Sequence, residues 1–420
     1  VDRATLAIPP GLTATRVPDV FPSRGSYNGG VRIYLDYAAT TPTDPRVLEA
    51  MRPYFGEVFG NPSSVHSFGQ EARAAVDRAR RTLAEALGCQ PSEVVFTSGA
   101  TEADNWAVLG VALAHEGRGR HLVVSSVEHR AVLEPARWLA ERGWEVTFLP
   151  VDRYGRVDPE DVRRALRADT VLVSVMHANN EVGTVQPVAE VARVAREHGV
   201  LVHTDATQTL GALPVRVDEL GVDLLSASAH KRYGPKGVGL LYVRKGTRIL
   251  PLLRGGAHER GRRAGTENVP GIVGFARAVE LALAEREAEQ ARLAALRDRL
   301  VRELLEVRGA VLAGHPTERL ANNAHLCFEG VESESLLLAL DLRGLAASSG
   351  SACTAGSLEP SHVLQAMGVP AELAAGALRL TVGRWTTEAE VETAAAWVRE
   401  TVEELRRALP ARRPRTAARS

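Results

Sequence analysis

The stretch Asp223–Val243 reads DLLSASAHKRYGPKGVGLLYV. Its ends, 223–228 and 238–243, are short apolar runs of strand length, and between them stand Ala229-His230-Lys231 and the turn Gly234-Pro235-Lys236-Gly237. A strand that runs out onto Ser, His and Lys carries polar groups to one edge of a sheet. The same grammar recurs upstream. The run 94–97 (VVFT) leads into Ser98-Gly99-Ala100-Thr101, and 122–126 (LVVSS) into Val127-Glu128-His129. The run 170–176 leads into His177-Ala178-Asn179-Asn180, and 200–204 into Asp205-Ala206-Thr207-Gln208. Helical stretches at 70–87, 101–115, 130–142 and 187–198 separate these runs. Such alternation predicts an α/β domain with a mostly parallel sheet covered by helices. In an open parallel sheet the carboxyl ends of the strands line one crevice. Thr101, His129, Asn180, Asp205, Gln208, Ser228, His230 and Lys231 are therefore expected to converge. A single Ser or Asp after a strand is more often a helix cap, and a lone His more often a network partner. Five polar endings on successive strands are harder to dismiss.

Beyond this region a long helix is expected at 272–306. It leads to strands at 310–313, 324–328 and 378–382 and helices at 334–341, 360–367 and 387–408, a smaller α+β domain. The expected organisation is an amino-terminal arm (1–30), a large domain (31–275), a small domain (276–409) carrying a cysteine loop (345–360), and a basic tail (410–420). The 51 basic and 51 acidic side chains balance, which argues against a nucleic-acid coat protein. No apolar run reaches the ~18 residues of a membrane span. Cys89, Cys327 and Cys353 lack the CxxC spacing of a zinc ribbon and the even number of a disulfide framework. A soluble, cytoplasmic protein with neither membrane nor direct nucleic-acid partners is expected.

The basic residues carry more information than their total. Only three are lysine, namely Lys231, Lys236 and Lys245. A bias toward Arg explains the shortage but not which lysines remain. Arg does not lose its proton in a protein, so a position that needs a neutral amine must stay Lys. Lys231, at a strand end, is the candidate; Lys236 and Lys245 read as solvated. Ser98-Gly99-Ala100-Thr101 opens a helix whose free N–H groups suit a phosphate, and Thr101, Ser228 and His230 can complete the cup. Asp205 offers a fixed carboxylate. Phosphate cup, carboxylate and Schiff-base lysine are together what pyridoxal 5′-phosphate requires. Rival motifs fare poorly: Gly234-x-x-Gly237-x-Gly239 lacks the order of a dinucleotide fingerprint, and His258-Glu259 lacks a second His at zinc spacing.

A second chemical site is expected at Ser348-Ser349-Gly350-Ser351-Ala352-Cys353-Thr354-Ala355-Gly356-Ser357. Ten small residues cannot pack a core element, so a loop is predicted with Cys353 as its one reactive group. Cys89 and Cys327 read instead as small core hydrophobes. Arg379, in Leu378-Arg379-Leu380-Thr381, can fork onto a carboxylate; Arg384 is the less favoured candidate.

These motifs resemble those of the cysteine desulfurases of the nitrogenase and iron–sulfur-cluster assembly type. That group lies within the class V aminotransferase-like, fold-type I pyridoxal-phosphate enzymes. The resemblance runs from about Tyr34 to Ala408. It is carried by YLDYAATTP at 34–42, FGNPSSVHSFG at 59–69, FTSGATEADN at 96–105, EHRAVL at 128–133 and MHANNEVG at 176–183. DATQ at 205–208, SAHKRYGPKGVG at 228–239, HERGRRAGTEN at 258–268 and SSGSACTAGSLEPSHVL at 348–364 add to it. It implies that Lys231 carries the cofactor, Asp205 pairs with its pyridine nitrogen, His129 stacks over the ring and Gln208 bonds its phenolic oxygen. It also implies that Ala100 (backbone), Thr101, Ser228 and His230 bind phosphate, with Thr266 reaching the phosphate of a neighbouring subunit in a homodimer. Asn180 and Arg379 would hold the substrate carboxylate, and Cys353 would be the nucleophile. The implied reaction converts L-cysteine to L-alanine and passes sulfur, as a persulfide on Cys353, to an acceptor protein such as an iron–sulfur scaffold or a thiolation protein. A selenocysteine lyase, a class V aminotransferase, or a sulfur-delivery scaffold with weak turnover are the alternatives.

Overall fold

The computed structural model describes residues 32–350 and 361–408, so the arm 1–30, the tail 410–420 and Cys353 lie outside the described residues. A two-residue strand, β1 (Ile33–Tyr34), precedes a seven-stranded sheet. The sheet comprises β2 (Val94–Thr97), β3 (His121–Ser125), β4 (Glu145–Leu149), β5 (Thr170–Ser174), β6 (Leu201–Asp205), β7 (Leu224–Ser228) and β8 (Gly239–Val243). Its order is β2-β8-β7-β6-β5-β3-β4. Every pairing from β4 across to β7 is parallel, and β8 runs antiparallel to both β7 and β2. The expected mostly parallel sheet is therefore present, with β8 as its reversed member.

Both faces are covered. Helices Ser67–Leu87, Val188–Glu197 and the start of Val269–Leu305 pack on one face, where Val76, Leu83, Val191, Ile272 and Phe275 join Val173, Val202 and Leu225 in one core. Helices Ala100–His115 and Arg130–Ala140 cover the other, with Trp106, Val111 and Leu133 against Leu122, Val124 and Leu241. Strands buried on both faces read as continuous apolar runs, which is why these were legible. Strand β4 and the helix Pro159–Ala165 were not anticipated. β4 is an edge strand with Glu145 and Phe148 exposed, so its sequence EVTFL alternates weakly and offers no apolar run.

The helix Val269–Leu305 has 37 residues and is about 55 Å long at ~1.5 Å per residue. Its early residues belong to the core of the large sheet. Leu293, Leu296, Leu300 and Leu304 belong to a second core. That second core covers a three-stranded antiparallel sheet of β9 (Ala310–Leu312), β10 (Asn323–Phe328) and β12 (Ala377–Thr381), in the order β12-β10-β9. Ile33 and Leu35 also pack into it, because β1 pairs in parallel with β11 (Leu345–Ala346). The β1 segment thereby ties the second core to the large sheet, whose carboxyl-end residues Gln208 and Lys231 bond to the Ala38 carbonyl just after it.

Candidate active site

Gly239 explains how the phosphate cup forms. The β2–β8–β7 registers set it opposite both Thr97 and Ser228. A Cβ at Gly239 would lie 2.6 Å from the Ala227 carbonyl oxygen and 2.7 Å from the Gly99 carbonyl carbon, so only Gly lets the turn after β2 come this close. That turn is fixed by Thr97 Oγ1, which donates to the Gly99 carbonyl at 2.9 Å, and by Ser98 N–H, which donates to Glu102 Oε2 at 2.8 Å. It opens the helix Ala100–His115, whose first N–H groups face a cavity of about 540 Å³.

The cavity brings together the predicted Ala100, Thr101, His129, Asn180, Asp205, Gln208, Ser228, His230, Lys231 and Arg379. Thr266 is exposed and is not among its lining residues. Lys231 Nζ donates to the carbonyls of Ala38 and Ala39 at 2.8 and 2.7 Å. Gln208 Nε2 donates to the same Ala38 carbonyl at 3.0 Å. Asp205, the last residue of β6, accepts the Thr207 N–H at 2.8 Å, a local turn that fixes its carboxylate. His129 caps the helix Arg130–Ala140, its Nδ1 accepting the Ala131 N–H at 3.1 Å, which leaves the ring proton on Nε2. Burial, followed by the opposing pull of Asp205 and the push of Lys231, lowers the pKa of His129. His230 is lowered to about 4 by burial and by Lys231 and Lys236, and its Nδ1 lies 3.1 Å from Thr40 Oγ1. Both rings are neutral at pH 7.

Arg379 and Arg384 divide cleanly. Arg379 is 2% exposed and lines the cavity, held by Asp36 Oδ1 at 2.7 Å and the Asn180 carbonyl at 3.0 Å, with its Nε lacking a partner among the described residues. Arg384 is engaged elsewhere, by Asp44 at 2.6 Å, Glu285 at 2.9 Å and Glu289 at 3.1 Å.

Several residues at the site were missed from sequence. Asp104 lines the cavity at 1% exposure, its Oδ1 3.5 Å from His203 Nε2, and burial raises its pKa well above the usual range. Glu128 is also fully buried, and burial raises it too; its Oε1 accepts the Met176 N–H at 2.6 Å. Glu181 accepts the Ser361 hydroxyl at 2.5 Å, and His362 lines the wall with Nε2 3.0 Å from the Glu128 carbonyl. Lys236, expected to be solvated, is exposed yet contributes to the cavity rim. The acids sit inside helices or just past strands, where a carboxyl ordinarily caps a backbone, and nothing in their spacing marks them.

A cleft at the carboxyl edge of a parallel sheet, lined also by the small domain and holding a lysine, a buried carboxylate and a helix N-terminus, is the ligand crevice of a two-domain α/β protein. The chain belongs to the aminotransferase class-V family, whose model matches residues 33–393. It is 53% identical over 379 residues to a cysteine desulfurase IscS of Dictyoglomus turgidum, covering 90% of this chain and 96% of that one. Among solved structures it resembles a NifS-like protein at 41% identity, with a TM-score of 0.84, covering 89% of this chain and 100% of that chain. It also resembles SspA in complex with cysteine at 36% identity, with a TM-score of 0.74, over 84% and 99% of the two chains. Among the described residues no helix is long and apolar enough to cross a membrane.

Proposed function

We propose that the chain is a cysteine desulfurase that takes L-cysteine to L-alanine and hands its sulfur onward through Cys353. The observation that carries this reading is the convergence of Lys231, Asp205, His129, the Ser98–Thr101 turn and Arg379 on one cavity.

The residues fit pyridoxal 5′-phosphate. The cavity volume suits a cofactor. A helix N-terminus and hydroxyls stand at one end for the phosphate, and Asp205 suits a pyridine nitrogen. Arg379 Nε, without a partner among the described residues, leaves a donor for an incoming carboxylate. Ala100 N–H, Thr101, Ser228 and His230 would hold the phosphate, Gln208 the phenolic oxygen, and Lys231 the aldehyde. When bound, the group supplies an electron sink that lets a proton leave the substrate α-carbon.

The chain's own residues do the rest. Arg379 and Asn180 orient the substrate carboxylate. Lys231, fixed beside Ala38 and Ala39, offers an amine for proton transfer, and neutral His129, its Nδ1 engaged by the Ala131 N–H, offers its Nε2–H as a hydrogen-bond donor. The Cys353 thiolate attacks the substrate sulfur. An S–S bond forms and the Cβ–S bond breaks, its electron pair remaining with the three-carbon fragment, which takes up a proton and leaves as alanine. The persulfide on Cys353 then passes to an acceptor for iron–sulfur cluster assembly or thiolation. The working unit is a homodimer in which Thr266 serves the other subunit, and a cytoplasmic location matches this chemistry.

The test is a Cys353→Ala variant. It is expected to keep the yellow cofactor absorbance while losing alanine and sulfide formation from L-cysteine; desulfuration at the wild-type rate would refute the nucleophile assignment.

A further inference from the structure

Among the described residues, three that are not glycine adopt the left-handed region: Tyr233, Glu259 and Arg260. Tyr233 follows Lys231 closely. The other two are consecutive, Glu259 at φ 48° and Arg260 at φ 58°, in a segment that belongs to no wall of the cavity. Side chains at such angles are strained and persist only where their surroundings over-determine them, and such strain clusters at functional sites.

The surroundings here do so. Glu259 is 5% exposed and takes both arms of the equally buried Arg80 guanidinium, at 2.7 Å each. Its Oε2 also accepts the Phe96 N–H at 3.2 Å, while Arg80 Nη1 donates to the Val94 carbonyl at 2.7 Å. The strained turn is thus bolted to β2, the strand that leads into the phosphate turn. A second bolt follows four residues on. Arg263 forks onto Glu102 at 2.8 and 3.1 Å, and Glu102 is the residue whose Oε2 holds Ser98 N–H. Past these two anchors the chain turns outward, and Thr266 is exposed. Two buried or half-buried charge pairs and two strained residues are a large structural outlay for a surface threonine that touches nothing in its own subunit's cavity.

We propose that Glu259 is a positioning residue for the cofactor's phosphate. Pinned by Arg80, it holds the strained turn that projects Thr266 toward the phosphate cup of a second copy of the chain. Each cup is then gauged twice from β2, once by the Ser98–Thr101 turn it carries and once by the segment it sends to the partner. This rests on the proposed binding of pyridoxal phosphate in a homodimer.

The experiment measures the rate at which the holoenzyme loses its yellow cofactor on dialysis. Glu259→Gln and Thr266→Ala are each expected to release it about tenfold faster than wild type, and the double variant also about tenfold, not ~100-fold, because residues acting as one unit are not additive. Arg80→Lys keeps the charge but loses the fork onto Glu259; it is expected to act in the same direction, about threefold, and to add nothing to Thr266→Ala. This variant carries the test should Glu259→Gln fail to fold. Wild-type release by Glu259→Gln or Arg80→Lys, or multiplicative effects in the double variants, would overturn the proposal alone. A wild-type chain that takes up no cofactor would overturn the functional reading as well.

Discussion

Gln208 and Lys231 share one acceptor: both side chains donate to the carbonyl of Ala38, at 3.0 and 2.8 Å. Ala38 comes from the segment after β1 that bridges the two cores, so the small domain's anchor strand also sets the lysine. Removing Gln208 leaves the lysine a carbonyl that no longer has a second donor to fix it. Gln208→Leu is expected to keep the covalent cofactor and lower kcat for L-cysteine about tenfold, in line with the loss of one orienting hydrogen bond. Absorbance spectra and steady-state alanine production measure the two parts.

The close approach at Gly239 gives a sharper test of the phosphate turn. Gly239→Ala puts a methyl group 2.6 Å from the Ala227 oxygen and 2.7 Å from the Gly99 carbonyl carbon, both backbone atoms that cannot step aside alone. Overpacking of this kind costs about 1–3 kcal/mol. Urea unfolding should show that loss, and the purified variant should hold less cofactor than wild type.

Arg379, in the cavity, and Arg384, outside it, should separate. Arg379→Lys keeps a charge but loses the fork, and is expected to raise KM for L-cysteine at least about tenfold with cofactor retained. Arg384→Met breaks pairs with Asp44, Glu285 and Glu289 away from the cavity, so it is expected to cost about 2 kcal/mol of stability and leave KM unchanged. A KM change of equal size in both would contradict the division.

Asp104 predicts a pH dependence. Its carboxyl is fully buried beside Asp205, so folding raises its pKa and the native chain binds a proton that the unfolded chain has released. A raised acid contributes its stability below the unfolded pKa near 4 and loses it as pH rises, by up to about 1.4 kcal/mol per pH unit. Asp104→Asn keeps the shape and removes the titration. The stability of the variant relative to wild type should therefore grow between pH 5 and 8, read by urea unfolding of cofactor-free chains; a constant difference would show that Asp104 is not protonated on folding.

Much of the architecture was legible because β2, β3, β5, β6 and β7 are buried on both faces and cannot alternate. The polar residues at their ends were legible for the same reason, since each apolar run stops abruptly where the sheet meets the cleft. What escaped was of two kinds. Edge strand β4 has an exposed face, and its alternation is too short to distinguish from a loop. Asp104 and Glu128 are buried by distant strands of the large sheet and Glu181 by Ser361 of the small domain, and no local spacing records such long-range neighbours. Thr266 was singled out by its motif; in the structure it is exposed and lies outside the cavity.

The most direct measurement is an absorbance titration of the purified chain with L-cysteine. The account predicts a yellow preparation whose spectrum shifts on adding L-cysteine, with alanine appearing in proportion, and a Lys231→Ala variant that shows neither the original band nor turnover. A colourless wild-type chain that takes up no pyridoxal phosphate, or a Lys231→Ala variant that still yields alanine at the wild-type rate, would contradict it.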